Sequence, residues 1–452
     1  MDGPLVSRYL TLPLAVIPTC APASPLIENA IHHQLTTLEE RLTRTIQRLY
    51  IRTTFERDLS RDSRVASADV TANQNMITTA RLFFQPLVLI LFTLATVVHA
   101  QTPNLTLNGQ PLSEATGEAL FQATCAGCHG LDGKGNPQSV VGFDVELPDF
   151  TDCKFASPET EADWTAIVYN GGPIRSFDRK MPAFGDLLSV DQITKILDYV
   201  RGFCTDSGWP RGELNLPRPL VTEKAFPENE AVVTTSATRG PGSMSSEFVY
   251  EHRIGARTQY EVVVPFNLQR RETAAGWNRG LGDVEVAMKR VLFQSMSLGS
   301  ILSAGGELAL PTGKEDQGLG SGHTVFSPFL AFGQILPRDG FLHLHAGVER
   351  PITHQEARTE AFWRGAFGKT FTQGWGRAWS PMVEVLGARE LVRGEKAEWD
   401  LLPQMQVTLS KRQHIMVNAG LRFPVNEAHA RNKTFMVYFL WDWFDGGLFS
   451  GW

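Results

Sequence analysis

The sequence predicts a multidomain chain: an all-α domain followed by an antiparallel transmembrane β-barrel of about 12 strands. Three observations predict it. Helix start signals and stripes at helical spacing recur through residues 101–207. After Glu230 the hydrophobic period switches to two and stays there, in roughly twelve segments of ~9–14 residues joined by Gly, Asn, Asp or Pro-bearing turns. Along those segments one side is rich in Trp, Phe and Leu while the other carries Glu, Gln, Arg and Lys.

The length of 452 residues agrees with more than one domain, since a single core rarely grows past ~250–300 residues. A formal net charge of -6 offers no basic face for a polyanion, so no nucleic acid is expected as a partner. Forty glycines and ten tryptophans beside only 20% charged residues suit a turn-rich, aromatic-rich chain better than a helical bundle.

Residues 1–75 carry no lysine and nothing that reads as a site. Met76 opens a different pattern. Arg81 is followed by an apolar run from Leu82 to Val98, and Val98-His99-Ala100 puts small residues at the -3 and -1 positions before Gln101. That describes a secretory signal peptide over 76–100, with translation expected to start at Met76 and 1–75 an over-extended or disordered N-terminus. The alternative is a retained transmembrane anchor. Its uninterrupted part, Leu87 to Val98, is shorter than the ~20 apolar residues a span needs.

In 101–207, Ser113 is placed to cap a helix through Ala119, Leu120 and Phe121. Ser157-Pro158-Glu159 reads as a second helix start, leading to Trp164 and Ile167 and stopping before Gly171-Gly172. Ser189-Val190-Asp191-Gln192 is a capping box opening a third helix with an apolar stripe of Ile193, Leu197 and Val200.

The first helix runs into Cys125-Ala126-Gly127-Cys128-His129. Two thiols separated by two residues, with a histidine directly after the second, is the c-type haem attachment signature. One covalent haem c is therefore expected, held by Cys125 and Cys128, with His129 on the iron. The second axial ligand follows by elimination. From Gln101 to Ser243 the only histidine is His129 and the only methionine is Met181, in Lys180-Met181-Pro182-Ala183-Phe184. A low-spin carrier wants both iron positions filled, and a thioether opposite histidine raises the potential. Cys153 and Cys204 remain. Zinc shared with Cys125 and Cys128 is poorly served by a histidine adjacent to its CxxC; in an exported domain a disulfide is the expectation.

CAGCH, the Trp164 helix, the Gly171-Gly172 turn, the Met181-Pro182 loop and a final helix ending Asp198-Tyr199-Val200-Arg201 come in the order of class I cytochromes c, and this quarter of the chain resembles that family. The resemblance implies a helical fold around one haem with an edge exposed for electron exchange.

Prolines 210, 217, 219 and 227 prevent regular structure in 208–229, which reads as an extended, semi-rigid linker. The strands of 230–452 follow. Trp399, Leu401, Pro403, Met405, Val407 and Leu409 alternate with Glu398, Asp400, Leu402, Gln404, Gln406 and Thr408. Ile415, Val417, Ala419, Leu421 and Phe423 do likewise, as do Tyr260, Val262, Val264, Phe266 and Leu268. A soluble sandwich also alternates, but its strands are nearer ~5–6 residues and their outward faces polar. A membrane barrel with a wet lumen needs this length and this facing. The chain also closes on Trp452, and an aromatic terminus resembles the recognition signal of bacterial outer-membrane barrels.

Gly280-Leu281-Gly282-Asp283, Leu310-Pro311-Thr312-Gly313 and Ser327-Pro328-Phe329 resemble a group of outer-membrane barrels associated with transport in phenol degradation; the substrate in that name is not carried over. His343 and His345 share one face and suit a metal if that face is the lumen, or a satisfied polar face if not.

The expected protein is thus an electron-transfer protein rather than an enzyme: a periplasmic monohaem cytochrome anchored in the outer membrane, with periplasmic redox proteins and outer-membrane lipid as partners. The alternative is a small-solute channel in which the cytochrome serves as redox sensor, gate or docking module.

Overall fold

A computed structural model describes residues 106–443, apart from 108, 240–241, 272–275, 353–357, 373–374 and 428–430. The over-extended N-terminus, the signal peptide and the terminal Trp452 lie outside the described residues.

The first half of the described chain is built on three helices: α1 (Gly117–Thr124), α2 (Glu161–Asn170) and α3 (Val190–Arg201). Single helical turns at Ala126–His129, Gln138–Val141 and Cys153–Ala156 and a small ladder pairing Thr106–Leu107 with Gln110–Pro111 complete it. The capping box of α3 is formed in full: the Ser189 hydroxyl accepts from the Gln192 amide, and the Gln192 side chain accepts from the Ser189 amide. The other two starts shift. Ser113 lies in a 3₁₀ turn, Leu112–Glu114, and Thr116 caps α1 instead, accepting from Ala119 N at 3.2 Å. Ser157 ends the Cys153–Ala156 turn, and α2 begins at Thr160, whose hydroxyl accepts from Asp163 N and donates to the Asp163 carboxylate at 2.8 Å. The Thr160 hydroxyl satisfies one free helix N–H and is itself held by the acid three residues on, and that outweighs the Ser-Pro-Glu signal just before it.

Leu120 and Phe121 of α1 pack on Ile193, Ile196, Leu197 and Val200 of α3, with Trp164 of α2 in the same cluster. The crossing is close enough that a Cβ on Gly117 would lie 1.9 Å from the Lys195 carbonyl oxygen. Cys153 and Cys204 are disulfide-bonded at a sequence separation of 51, pinning the loop before α2 to the end of α3. Loop-closure entropy makes such a link worth ~4 kcal/mol.

From Glu230 on the chain is a closed up-and-down barrel of twelve strands: β1 (Glu230–Thr238), β2 (Ser243–Ile254), β3 (Thr258–Arg270), β4 (Val284–Ser295), β5 (Ser300–Leu310), β6 (Val325–Leu336), β7 (Gly340–Pro351), β8 (Glu360–Lys369), β9 (Ala378–Glu390), β10 (Glu398–Thr408), β11 (Ile415–Pro424) and β12 (Thr434–Asp442). Each pairs antiparallel with its sequence neighbour, and β12 pairs with β1, so no edge is left. Two short strands, Trp277–Leu281 and Phe371–Thr372, extend it. Strands of 9 to 13 residues match what a tilted strand needs to cross a bilayer.

The facing is inverted relative to a soluble protein. On β9, Val383 and Val385 are each 43% exposed while Glu384 between them is 0% exposed. On β10, Trp399, Leu401 and Met405 point out, and Asp400, Gln404 and Gln406 are buried inside. Phe248, Phe266, Met288, Leu330, Phe367, Phe435 and Phe439 extend the apolar exterior around the ring. That arrangement, apolar outside and polar inside a closed ladder, is the one a barrel in lipid requires.

The two ends of the barrel differ. At the end facing the helical domain the connections 255–257, 296–299, 337–339, 409–414 and 370–377 run from three to eight residues; at the other end 239–242 has four and 391–397, 352–359, 425–433, 271–283 and 311–324 run from seven to fourteen. There the Gly280–Asp283 and Leu310–Gly313 motifs interlock. The Asp283 carboxylate accepts from Gly313 N (2.9 Å) and Ser321 N (2.6 Å), and the Thr312 hydroxyl donates to Gly282 O. Those motifs are loop locks.

Residues 208–229 are irregular, as their prolines require, except for one 3₁₀ turn at Gly212–Leu214. They do not span solvent: the segment runs through the barrel's interior and touches all twelve strands. Arg218 pairs with Glu230 of β1 and Glu251 of β2, and its carbonyl accepts from Asn418 of β11 and Tyr438 of β12. The Glu384 carboxylate of β9 accepts from the amides of Leu220 (2.8 Å), Val221 (3.1 Å) and Thr222 (2.7 Å), alongside Gln404 of β10. Gln259 of β3, Lys289 of β4, Ser303 of β5, His343 and His345 of β7 and Arg364 of β8 bond the rest, and Ala331 of β6 packs with Leu214, Ala225 and Phe226.

A proline has no N–H to satisfy, so Pro217, Pro219 and Pro227 suit a buried extended segment as well as an exposed one. His343 and His345 do face the lumen, where they bond the Pro217 carbonyl at 3.0 Å and the Glu223 amide at 3.3 Å. Among the described residues no group of three or more His, Cys, Asp or Glu side chains is arranged to hold a metal.

Candidate cofactor site

The carboxyl end of α1 leads through Cys125 into the turn Ala126–His129, whose geometry is set by Cys125 O accepting from both Cys128 N (3.1 Å) and His129 N (2.9 Å). Asn136 returns to this turn and donates its side-chain amide to Ala126 O (3.1 Å) and Gly127 O (3.0 Å), which holds the two thiols and the imidazole on one side. Both thiols are free. Burial pushes the Cys125 thiol up, with Thr124 opposing and Cys128 adding to the shift, so it stays protonated at neutral pH. Burial pulls the His129 imidazole below its ordinary value, which keeps it neutral and able to donate a lone pair to a metal.

Met181 lines the same space from the loop before α3. The Gly171-Gly172 turn makes this possible: Gly171 sits at φ +82°, Gly172 N donates to Met181 O at 3.0 Å, and a Cβ on Gly172 would lie 2.3 Å from the Asp178 carbonyl oxygen. Phe184 N and Gly185 N then bond Val168 O (2.9 Å) and Tyr169 O (3.0 Å), fastening the methionine loop to α2.

Between these walls lies a cavity of about 710 Å³, lined by Cys125, Cys128, His129 and Met181 together with Phe121, Phe150, Trp164, Ile167, Leu197 and Val200. That size falls in the ~300–1,000 Å³ range of cofactor sites. His129 lies against Phe150, ring centroids 5.0 Å apart, and its buried Nδ1 has no hydrogen-bond partner. Two thiols, an imidazole and a thioether around an apolar slot fit a thioether-linked haem, so the residues present suit the group the sequence implies.

The sequence did not point to the residues that close the slot's rim. Arg175, which follows Gly171-Gly172, is buried; its Nε donates to Asp163 (2.8 Å) and its Nη1 to the carbonyl of Trp375, on the connection between β8 and β9. Arg412 and His414, on the turn between β10 and β11, line the cavity too. Arg412 is centred 4.2 Å from the Phe177 ring, and His414 Nε2 lies 3.0 Å from Glu159. No local pattern marks Arg412 and His414, because they meet the site only through the docking of barrel on helical domain.

Residues 113–200 match the family described as cytochrome c oxidase, cbb3-type, subunit III. No curated protein matches the chain. Among solved structures the barrel half is similar to the NanC porin (9% identity, 47% of this chain and 99% of that one, TM-score 0.35) and to the KdgM porin (10%, 47% and 99%, TM-score 0.32). It is also similar to an outer-membrane channel from Pseudomonas putida F1 (11%, 50% and 100%, TM-score 0.37). Residues 113–200 are a c-type cytochrome domain, a class that binds haem c and transfers electrons, and it is joined to a 12-stranded β-barrel.

Proposed function

We propose that this chain is a monohaem c-type cytochrome, held on the periplasmic side of the outer membrane by its own barrel, whose biochemical act is one-electron transfer. The observation that carries the reading is the single cavity into which both thiols of the CAGCH turn, its imidazole and the domain's one methionine thioether converge. Bound there, one haem c supplies the one-electron couple. Cys125 and Cys128 would hold the ring covalently through their free thiols. His129 and Met181 would be the iron's two protein ligands, and a fully ligated iron would favour electron transfer over catalysis. Phe150, Trp164 and Leu197 keep water from the macrocycle.

The outward apolar face supports a lipid environment, and short turns on the cytochrome's side support a periplasmic location for that domain, because outer-membrane barrels keep their short turns there. The expected partners are periplasmic redox proteins. The segment 208–229 inside the lumen supports an anchor over an open channel for a small solute. Cell fractionation with haem staining tests the reading: a haem-positive band in the outer membrane that migrates differently when heated is expected, and a soluble haem-positive band would overturn it.

A further inference from the structure

The haem cavity is not built by the cytochrome domain alone. Two barrel turns reach it. The connection between β8 and β9 offers Trp375, whose ring lies 4.8 Å from Tyr169 and whose carbonyl accepts from Arg175. The turn 409–414 offers Arg412 and His414 to the lining itself. That turn is tightly specified. Gln413 adopts φ +63°, the Ser410 hydroxyl accepts from the amides of His414 and Ile415 at 3.1 Å each, and Gln413 Nε2 donates to Gly376 O, tying the two turns together. His414 bridges Glu159 of the cytochrome domain and Asp442 of β12, at 3.0 and 3.2 Å. The result is a guanidinium, that of Arg412, held over the Phe177 ring at the rim of a largely apolar slot.

Haem is an apolar disc with two carboxylates on one edge. A slot that takes the disc therefore needs a cation where that edge emerges, and guanidinium is the side chain whose geometry matches a carboxylate. We propose that the barrel completes the haem site, with Arg412 pairing with a carboxylate of the porphyrin edge and Arg175 supporting it from the neighbouring wall. Arg412 is a positioning residue: it does not touch the iron, and it acts on the couple through charge. A cation beside the macrocycle disfavours the more positive oxidised state, so losing it favours oxidation. The barrel is then part of the redox site as well as its anchor. The inference rests on the haem reading above.

The test is a spectroscopic redox titration of the full-length protein in detergent, comparing wild type with Arg412→Ala, Arg412→Lys and Lys411→Ala. Arg412→Ala is expected to shift the reduced-to-oxidised ratio at fixed potential about tenfold toward oxidised, which is 59 mV downward for a one-electron couple. Arg412→Lys should restore most of the shift, and Lys411→Ala, the exposed neighbour, should leave the potential at the wild-type value. Haem content and heat-modifiable migration verify that each variant is folded; if Arg412→Ala does not fold, the Arg412→Lys and Lys411→Ala pair decides, with a smaller fall for Arg412→Lys expected. An unchanged potential in the Arg412 variants, or an equal shift in Lys411→Ala, overturns the inference while leaving the haem reading intact. Absence of covalent haem from the wild type would instead remove the reading beneath it.

Discussion

Met181 and His129, the two iron ligands proposed above, line one cavity. A methionine on a proline-bearing loop usually fills core space. Here its backbone is fastened at Gly172, its neighbours Phe184 and Gly185 are bonded to α2, and it lines the same cavity as His129. Replacing it should therefore cost a ligand more than a fold. Met181→Ala is expected to retain covalent haem but to lose the low-spin features and the far-red thioether-to-iron band in the visible spectrum; a spectrum identical to wild type would remove Met181 from the iron. Trp164 shows a second use of a single residue, carrying the Arg201 guanidinium 3.9 Å above its ring. Burial pushes that guanidinium down to about 10, still charged at neutral pH, while its Nη2 bonds Glu159 O at 2.7 Å.

Among the elements, the barrel strands behave as their period of two demands, and the segment 208–229 is where element-level reasoning needed the whole fold. Proline content made it irregular and extended. Nothing local said that its amides would find acceptors inside a barrel. Glu384 is the strand residue with most at stake, since three consecutive backbone N–H groups of the segment end on its carboxylate. Each buried donor left unsatisfied costs ~1–3 kcal/mol. Glu384→Ala is thus expected to loosen the segment and raise single-barrel conductance in planar bilayers above that of wild type, with Glu384→Gln, which keeps an acceptor, showing a smaller rise. Equal conductance in all three would mean that the segment does not govern the lumen.

At the scale of the whole molecule the cytochrome domain is docked against the barrel mouth, and the first residues of the lumen segment are tied back to α2. Glu213 accepts from the amide of Glu161 at the start of α2 (2.9 Å) and from Arg211 (2.9 and 3.1 Å). A carboxylate at a helix N-terminus is favoured by the helix dipole as well. Burial pushes the Glu213 carboxyl up, but Arg211 and Arg201 outweigh burial and hold it below the usual carboxylate range. A depressed folded-state value means that the stabilisation is complete above the ordinary glutamate range and is lost as pH falls through the depressed value. Acid should therefore loosen the docking below about pH 4.5, the unperturbed value, and Glu213→Gln should flatten that limb. Limited proteolysis near residues 205–213 across pH 3 to 6 would measure it.

Met181 and the pairing of the two spare cysteines were expectations reached by elimination, while sequence patterns local to a few residues determined the CAGCH turn, the third helix's cap and a barrel of about twelve strands. Each depends on neighbours along the chain, or on a periodicity that repeats every second residue. The tertiary structure alone decided what depends on distant contacts. Thr116 and Thr160 became the helix caps because they completed hydrogen bonds that Ser113 and Ser157 did not. His343 and His345 became partners of an interior segment. The linker became that segment because inward-facing Glu384, Gln404, Asn418 and Lys289 supply, across separations of 65 to 200 residues, the hydrogen bonds that an extended proline-rich chain cannot make for itself. The barrel's Arg412 reached the cavity lined by CAGCH and Met181 by the same route, through ring closure that brings the turn before β11 against a domain encoded far upstream.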